Sequence, residues 1–195
     1  MTVAFSRAGK PRLVLDCRHI NECIQQFKFK FEDGSVARQL FKKEDFLFRY
    51  DLKGAYHHIE NFQKHRKYLG FSWVYKGKSR YFVFNVLPFG IASAGHIFTK
   101  LLKEVIKYWR NQGLKIIMYL DDGLGGASDF DSAEKDSFYI KNPLSEFGFL
   151  IAEKKCLWLL EQNLTWIRLD WDMECGKLRI TDERIEGLLS IIDKL

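Results

Sequence analysis

The stretch Ile116-Ile117-Met118-Tyr119-Leu120-Asp121-Asp122-Gly123-Leu124-Gly125-Gly126-Ala127 decides how the rest of the chain is read. An apolar run of strand formers ends in two adjacent carboxylates and restarts as a glycine-rich segment, the pattern of a β-hairpin with two acids at its tip. Asp is a favoured turn residue because its side chain bonds the local backbone, so such a pair alone is more often a solvated turn than a catalytic site. A third acid changes that balance. Asp51 closes the run Phe46-Leu47-Phe48-Arg49-Tyr50, and two strands side by side in one sheet put three acids at one edge although 70 positions separate Asp51 from Asp121. Mg²⁺ takes one or two protein carboxylates and completes its octahedron with water and phosphate oxygens, so a sparse acid cluster suits nucleotide chemistry. Two such ions about 3.5–4 Å apart stabilise both the attacking and the leaving oxygen of an in-line phosphoryl displacement.

Composition sets the outer bounds. At 195 residues, 47% hydrophobic and 15% aromatic, the chain is a globular body with a real core, not a disordered tail. Residues 1–80 hold 17 Lys and Arg against 8 Asp and Glu, net +9, whereas 81–195 are net −3. A basic first half is the footprint of a phosphate-rich partner, although scattered lysines that confer solubility give the same count. Cys17, Cys23, Cys156 and Cys175 show neither Cys-x-x-Cys spacing nor a companion His pair, so they are expected to be free thiols in a reducing compartment. No run approaches the roughly 18 apolar residues of a membrane helix, and the first residues lack a signal-peptide apolar core. The expectation is an intracellular protein, cytoplasmic or nuclear, with no membrane partner; nothing in the sequence sets its oligomeric state.

In chain order, Lys10 to Asn21 combines a short strand-like run with Lys10, Arg12 and Arg18, as would a strand facing phosphate or a charged edge strand that resists aggregation. Residues 22–45 are polar and mixed, with a turn at Glu32-Asp33-Gly34-Ser35 and a short helix from Ser35 to Phe41. After Asp51 the chain turns, and Tyr56 arrives five residues later, close enough to stand beside whatever Asp51 binds. His57 and His58 are adjacent and so share no face; they read as packing or surface residues rather than metal ligands. Two strand runs between Tyr68 and Val86 flank Lys76-Gly77-Lys78 as a hairpin. Leu87-Pro88-Phe89-Gly90 breaks the second strand, and a helix follows from about Ser93 to Asn111, apolar on one face. A second helix is expected from about Asp131 to Phe147, then a strand from Leu164 to Trp171, a turn at 174–177, a strand Leu178-Arg179-Ile180 and a last helix capped by Thr181 or Asp182. This order predicts an α+β fold with helices on one face of an antiparallel sheet.

The order of motifs resembles a retroelement reverse transcriptase over nearly all of the chain. Asp51-Leu52-Lys53-Gly54-Ala55-Tyr56-His57-His58-Ile59 resembles the first catalytic motif, Leu87-Pro88-Phe89-Gly90-Ile91-Ala92-Ser93-Ala94 the template-contacting motif, and Tyr119-Leu120-Asp121-Asp122 the acidic hairpin. The wording around them, especially Arg66 to Ser72 and Tyr119 to Leu124, is most similar to retrotransposons that encode a tyrosine recombinase, the DIRS group. The resemblance implies a polymerase palm with a partial fingers subdomain and an absent or truncated thumb. Residues 1–45 would be fingers, 46–160 palm with the 68–86 hairpin inserted, and 161–195 strands resembling the primer grip and the start of a thumb.

The same resemblance implies the roles. Asp51, Asp121 and Asp122 would be catalytic carboxylates, holding two Mg²⁺, or Mn²⁺, together with the Leu52 carbonyl. Tyr56 would crowd the sugar 2′-OH and so select dNTPs; Phe89 and Gly90 would line the pocket for the incoming base pair. Arg12, with Arg7 or Lys10, would grip the triphosphate. Lys155, or its neighbour Lys154, would stand near the pyrophosphate leaving group as a general acid. Trp166, Ile167 and Arg168 occupy the place of the primer grip. Two positions depart from the pattern: Gly95 stands where the family usually has Pro, and Arg168 where the grip usually has Gly, which would strain a turn needing positive φ. The partners implied are a primed RNA or DNA template and dNTPs. The two readings carried forward are an RNA-directed DNA polymerase domain and a catalytically inactive nucleic-acid-binding remnant of such an element. A ferredoxin-like metal-binding or phosphatase domain is the third.

Overall fold

The computed structural model describes residues 2–5, 9, 11–25 and 27–193, with the side chains of 2–5 and 12 outside that description. In chain order the elements are β1 (Thr2–Phe5), β2 (Pro11–Val14), α1 (Arg18–Cys23), α2 (Gly34–Leu40), β3 (Phe46–Asp51), β4 (Gly70–Tyr75), β5 (Lys78–Val83) and α3 (Ala94–Asn111). They continue with β6 (Lys115–Tyr119), β7 (Asp122–Ala127), α4 (Phe130–Glu146), β8 (Leu157–Glu161), β9 (Asn163–Trp166), β10 (Leu169–Asp172), β11 (Lys177–Ile180) and α5 (Asp182–Ile192). Two compact units result: Met1–Lys30 with Gly54–Leu102, and Phe31–Lys53 with Lys103–Leu195.

The second unit is built on an antiparallel sheet in the order β6-β7-β3-β8. Its glycine-rich strand has a steric reason. Gly123 pairs with Tyr50 and Gly125 with Phe48, and a Cβ on either would fall 2.2 and 2.3 Å from the opposing ring. Side-chain-free positions on β7 therefore let two aromatic rings of β3 lie flat across the sheet. Both rings stack on Trp158 of β8, at centroid distances of 5.6 Å for Tyr50 and 6.3 Å for Phe48. Phe46 meets Phe130 of α4 edge-on on the same face. Asp129 caps α4 by accepting from the Ser132 amide, and Ala133, Ser137, Ile140 and Leu144, at helical spacing, form its buried stripe.

The α+β class expected from the sequence is present, and the opposite face of the sheet is also covered. Leu47, Ile117 and Leu124 pack there with Ala37 of α2 and with Leu164, Trp166 and Trp171 of a second sheet, β11-β10-β9. Two ion pairs tie the sheet's lower edge. Asp45, 2% exposed, receives Lys115 Nζ at 2.7 Å, and Glu32 takes Arg110 in a two-pronged bond at 2.6 and 2.8 Å while Arg110 Nε also donates to the Ile116 carbonyl.

Two local expectations are corrected. Residues 164–171 form a hairpin and not one strand, because Ile167 and Arg168 both adopt left-handed φ, +45° and +63°. The segment read as a turn at 32–35 is a helix start: Asp33 accepts from the Ser35 amide and caps α2. The short strand-like run expected within Lys10 to Asn21 is β2, which ends at Val14 ahead of α1. The four cysteines are free thiols, and among the described residues no helix is long and apolar enough to cross a membrane.

The first unit carries two hairpins, β1-β2 and β4-β5, and a small core of Leu15, Cys17 and Leu69 packed by Ile20, Phe71, Phe84 and Ile91.

Candidate active site

The three acids meet at one end of the four-stranded sheet. Asp51 and Asp122 are register partners on β3 and β7. The two-residue turn Leu120-Asp121 joins β6 to β7, with Leu120 at φ +55°. Its Asp121 carbonyl accepts from the Leu52 amide at 2.9 Å, which holds the turn against the end of β3. Sequence-distant carboxylates are thus brought together by ordinary ladder bonds.

Lys155 arrives by the same means from the other side. Leu52 bridges Ile151, the Lys53 amide donates to the Leu150 carbonyl and the Ala152 amide to the Asp51 carbonyl. A short 3-10 turn, Glu153–Lys155, then delivers Lys155 Nζ to Asp51 Oδ2 at 2.5 Å. Asp51 is almost fully buried, and its amide points at Cys156 Sγ, 3.4 Å away. Burial, then the charges of Asp121 and Asp51, push the Asp122 carboxyl up to about 7. Burial pulls the Lys155 ammonium down, but its bond to Asp51 and the three carboxylate charges outweigh that and leave it raised. Burial likewise raises the Cys156 thiol. Among the described residues no group of three or more His, Cys, Asp or Glu side chains is placed to hold a metal ion.

The turn of the β9-β10 hairpin stands over this end of the sheet. Trp166 Nε1 donates to the Asp122 carbonyl at 3.3 Å, and the strained Ile167-Arg168 pair follows directly. A cleft of about 1150 Å³ opens here, lined by Asp122, Tyr119, Arg168, Arg38 and Arg184 among others. The sequence did not single out Arg38 and Arg184: each is an isolated cation on a helix, and only the fold brings them to Arg168.

The remaining predicted site residues belong to the first unit. Gly54, at φ +85°, starts a 3-10 turn, Ala55–His58, that carries Tyr56. The Tyr56 ring packs against Phe89 and Phe98 at 5.1 and 5.7 Å. Gly90 has φ +114°, and a Cβ there would meet the Leu15 carbonyl oxygen at 2.1 Å, so only glycine fits. Asn21 clamps the same loop, donating to the Gly90 carbonyl and accepting from the Ala92 amide, both at 2.9 Å. Nothing in the local sequence marked Asn21 for this. His57 makes an edge contact with Phe89, and burial followed by the His58 charge lowers its pKa. Gly95 lies in the first turn of α3. Arg12 sits on β2 opposite Ala4, with its side chain outside the described set, as are Arg7 and Lys10.

A profile described as reverse transcriptase (RNA-dependent DNA polymerase) matches residues 5–178. The chain belongs to the reverse transcriptase family. It is 23% identical over 163 residues to the genome polyprotein of Petunia vein clearing virus, a match covering 84% of this chain and 7% of the polyprotein. It is 32% identical over 121 residues to the retrovirus-related Pol polyprotein from transposon gypsy of Drosophila melanogaster, covering 62% of this chain and 11% of that protein. The chain therefore spans about a tenth of the curated relatives it matches. A foamy viral protease-reverse transcriptase, solved in complex with double-stranded DNA, superposes with a TM-score of 0.79 at 18% identity, covering 96% of this chain and 31% of that one.

Proposed function

We propose that the chain is the nucleotidyl-transfer core of an RNA-directed DNA polymerase from a retrotransposon, extending a primer 3′-OH with dNTPs on an RNA or DNA template. The observation that carries this reading is the convergence of Asp51 and Asp122 in register with the Asp121 turn bonded to Leu52. The donor set fits Mg²⁺ or Mn²⁺: hard oxygens only, too few to close a cage, leaving room for water and phosphate. Asp51 and Asp121, with Asp122 and the Leu52 carbonyl, would hold two such ions. When bound, these would stabilise charge on the attacking and leaving oxygens.

The chain's own groups do the rest. Lys155 Nζ bonds the Asp51 carboxylate and carries a proton it can hand to the leaving pyrophosphate oxygen. Arg38, Arg168 and Arg184 offer guanidinium forks to the primer backbone along the cleft. The β9-β10 turn, kept against Asp122 by Trp166, positions the primer end. Tyr56, held by Phe89 and Phe98 in the first unit, is the sugar gate, and Phe89 and Gly90 form the base-pair pocket. In this reading residues 1–45 supply part of the fingers and 46–160 the palm, with the 68–86 hairpin inserted. The double-stranded DNA bound by the foamy viral enzyme supports a duplex partner here. Within retroelements, the Arg66–Ser72 and Tyr119–Leu124 wording favours the tyrosine-recombinase group.

Primer extension on an RNA template with Mg²⁺ and dNTPs tests it. Asp121→Asn should lose at least about a hundredfold in rate, since a displaced metal forfeits several kcal/mol of transition-state stabilisation. Extension that survives the change refutes the assignment. A second reading, a non-catalytic nucleic-acid binder, draws on the Lys155–Asp51 bond, which already supplies the acids with a cation. It predicts salt-sensitive binding without extension, equal in wild type and Asp121→Asn.

A further inference from the structure

The β4-β5 hairpin is apolar and aromatic in a place where nothing in its unit covers it. Trp73 is 44% exposed, Tyr75 54% and Tyr81 84%. Its root is anchored, with Phe71 stacked on Phe82 at 5.4 Å and tilted against Phe84 at 5.3 Å above the small core. The outer half makes no such contribution to folding. Aromatic residues favour strands generally, so their presence alone says little; the register says more. Across the hairpin Trp73 faces Arg80 and Tyr75 faces Lys78, so on one face the two outer rings each have a cation directly opposite. Lys76 at the turn lies 5.5 Å from the Tyr75 ring. Residues 70–83 contain no Asp or Glu.

We propose that this face is a binding platform for single-stranded nucleic acid, with bases stacking on Trp73 and Tyr75 and phosphates paired by Arg80, Lys78 and Lys76. Same-face residues of a strand stand about 6.7 Å apart, twice the roughly 3.4 Å per-strand rise of stacked duplex DNA, so a single strand drawn out beyond its stacked rise can lay one base on each ring. Ring faces attract any base, and the row of cations follows the backbone, which makes the platform tolerant of sequence. A duplex hides its base faces and gains only the phosphate contacts. In a polymerase such a surface would hold unpaired template. The inference goes beyond the polymerase reading, and its test reads binding alone, so the two fail separately.

The test is fluorescence anisotropy of the whole chain with a labelled 20-nucleotide oligo(dT) and with a blunt duplex of equal length. Trp73→Ala with Tyr75→Ala should weaken oligo(dT) binding tenfold or more and duplex binding less than twofold, while Trp73→Phe with Tyr75→Phe restores most of the loss. Lys78→Ser with Arg80→Ser should lower the salt slope for the single strand by about one to two units. Should the alanine pair bind oligo(dT) like wild type, or lose single strand and duplex equally, the proposal is overturned. So too if sedimentation shows that the alanine pair dissociates a dimer with binding intact, which would make the face a contact between copies, or if it abolishes capture by anionic vesicles while oligo(dT) binding stays.

Discussion

Asp51 lies at the crossing point of the candidate site: its carboxylate takes Lys155 Nζ, its carbonyl takes the Ala152 amide, and its amide faces Cys156. Lys155 places its ammonium against the acids, and as proposed above it would be the proton donor. Lys155→Ala should lower extension by about a hundredfold, the ordinary contribution of a general acid, with Lys155→Arg recovering part of it; equal rates for wild type and the alanine variant in single-turnover extension contradict the role. A simpler electrostatic test lies on α4. Burial and then the Asp129 charge raise the pKa of Asp136. The folded chain thus holds that proton more tightly than the unfolded one, and Asp136 costs stability as pH rises above the ordinary carboxylate range. Asp136→Asn should raise Tm at pH 7 and leave it unchanged near pH 3, as read by thermal unfolding at both values.

At the scale of elements, the acidic hairpin was legible because its signals are local: strand formers, two turn-favouring acids, then glycines. The steric purpose of those glycines was not, since it resides in Phe48 and Tyr50 on another strand. Gly123→Ala should cost about 1–3 kcal/mol by overpacking the Tyr50 ring, lowering the urea midpoint without changing its slope. The β9-β10 hairpin shows the reverse failure. Ile167-Arg168 carries no turn chemistry, so alternation ran on through it as one strand. A β-branched residue at positive φ is a true outlier and is stored strain. Replacing the pair by Asn-Gly, the residues a type I′ turn prefers, should stabilise the fold by about 1 kcal/mol. If Arg168 holds primer, the same change weakens primer-template binding.

For the whole molecule, what could be read in advance was the order of elements and the likeness of three motifs to one family; what could not were contacts whose partners lie far along the chain. Asn21 clamping the Gly90 loop, Arg38 and Arg184 meeting Arg168 at the cleft, and Lys155 rather than Lys154 reaching Asp51 all depend on the fold and leave no local trace. The family likeness carried residues into roles, but the geometry supplies the reason that the three acids lie together: Asp51 and Asp122 are a register pair, and one backbone bond ties the Asp121 carbonyl to the Leu52 amide. The account stands on those carboxylates forming a single divalent-metal centre. Mn²⁺ binding followed by electron paramagnetic resonance, with a non-hydrolysable dNTP analogue present, tests it most directly. Asp51→Asn and Asp121→Asn should each weaken Mn²⁺ binding tenfold or more while the protein stays folded; wild-type Mn²⁺ affinity in either variant would contradict a shared centre.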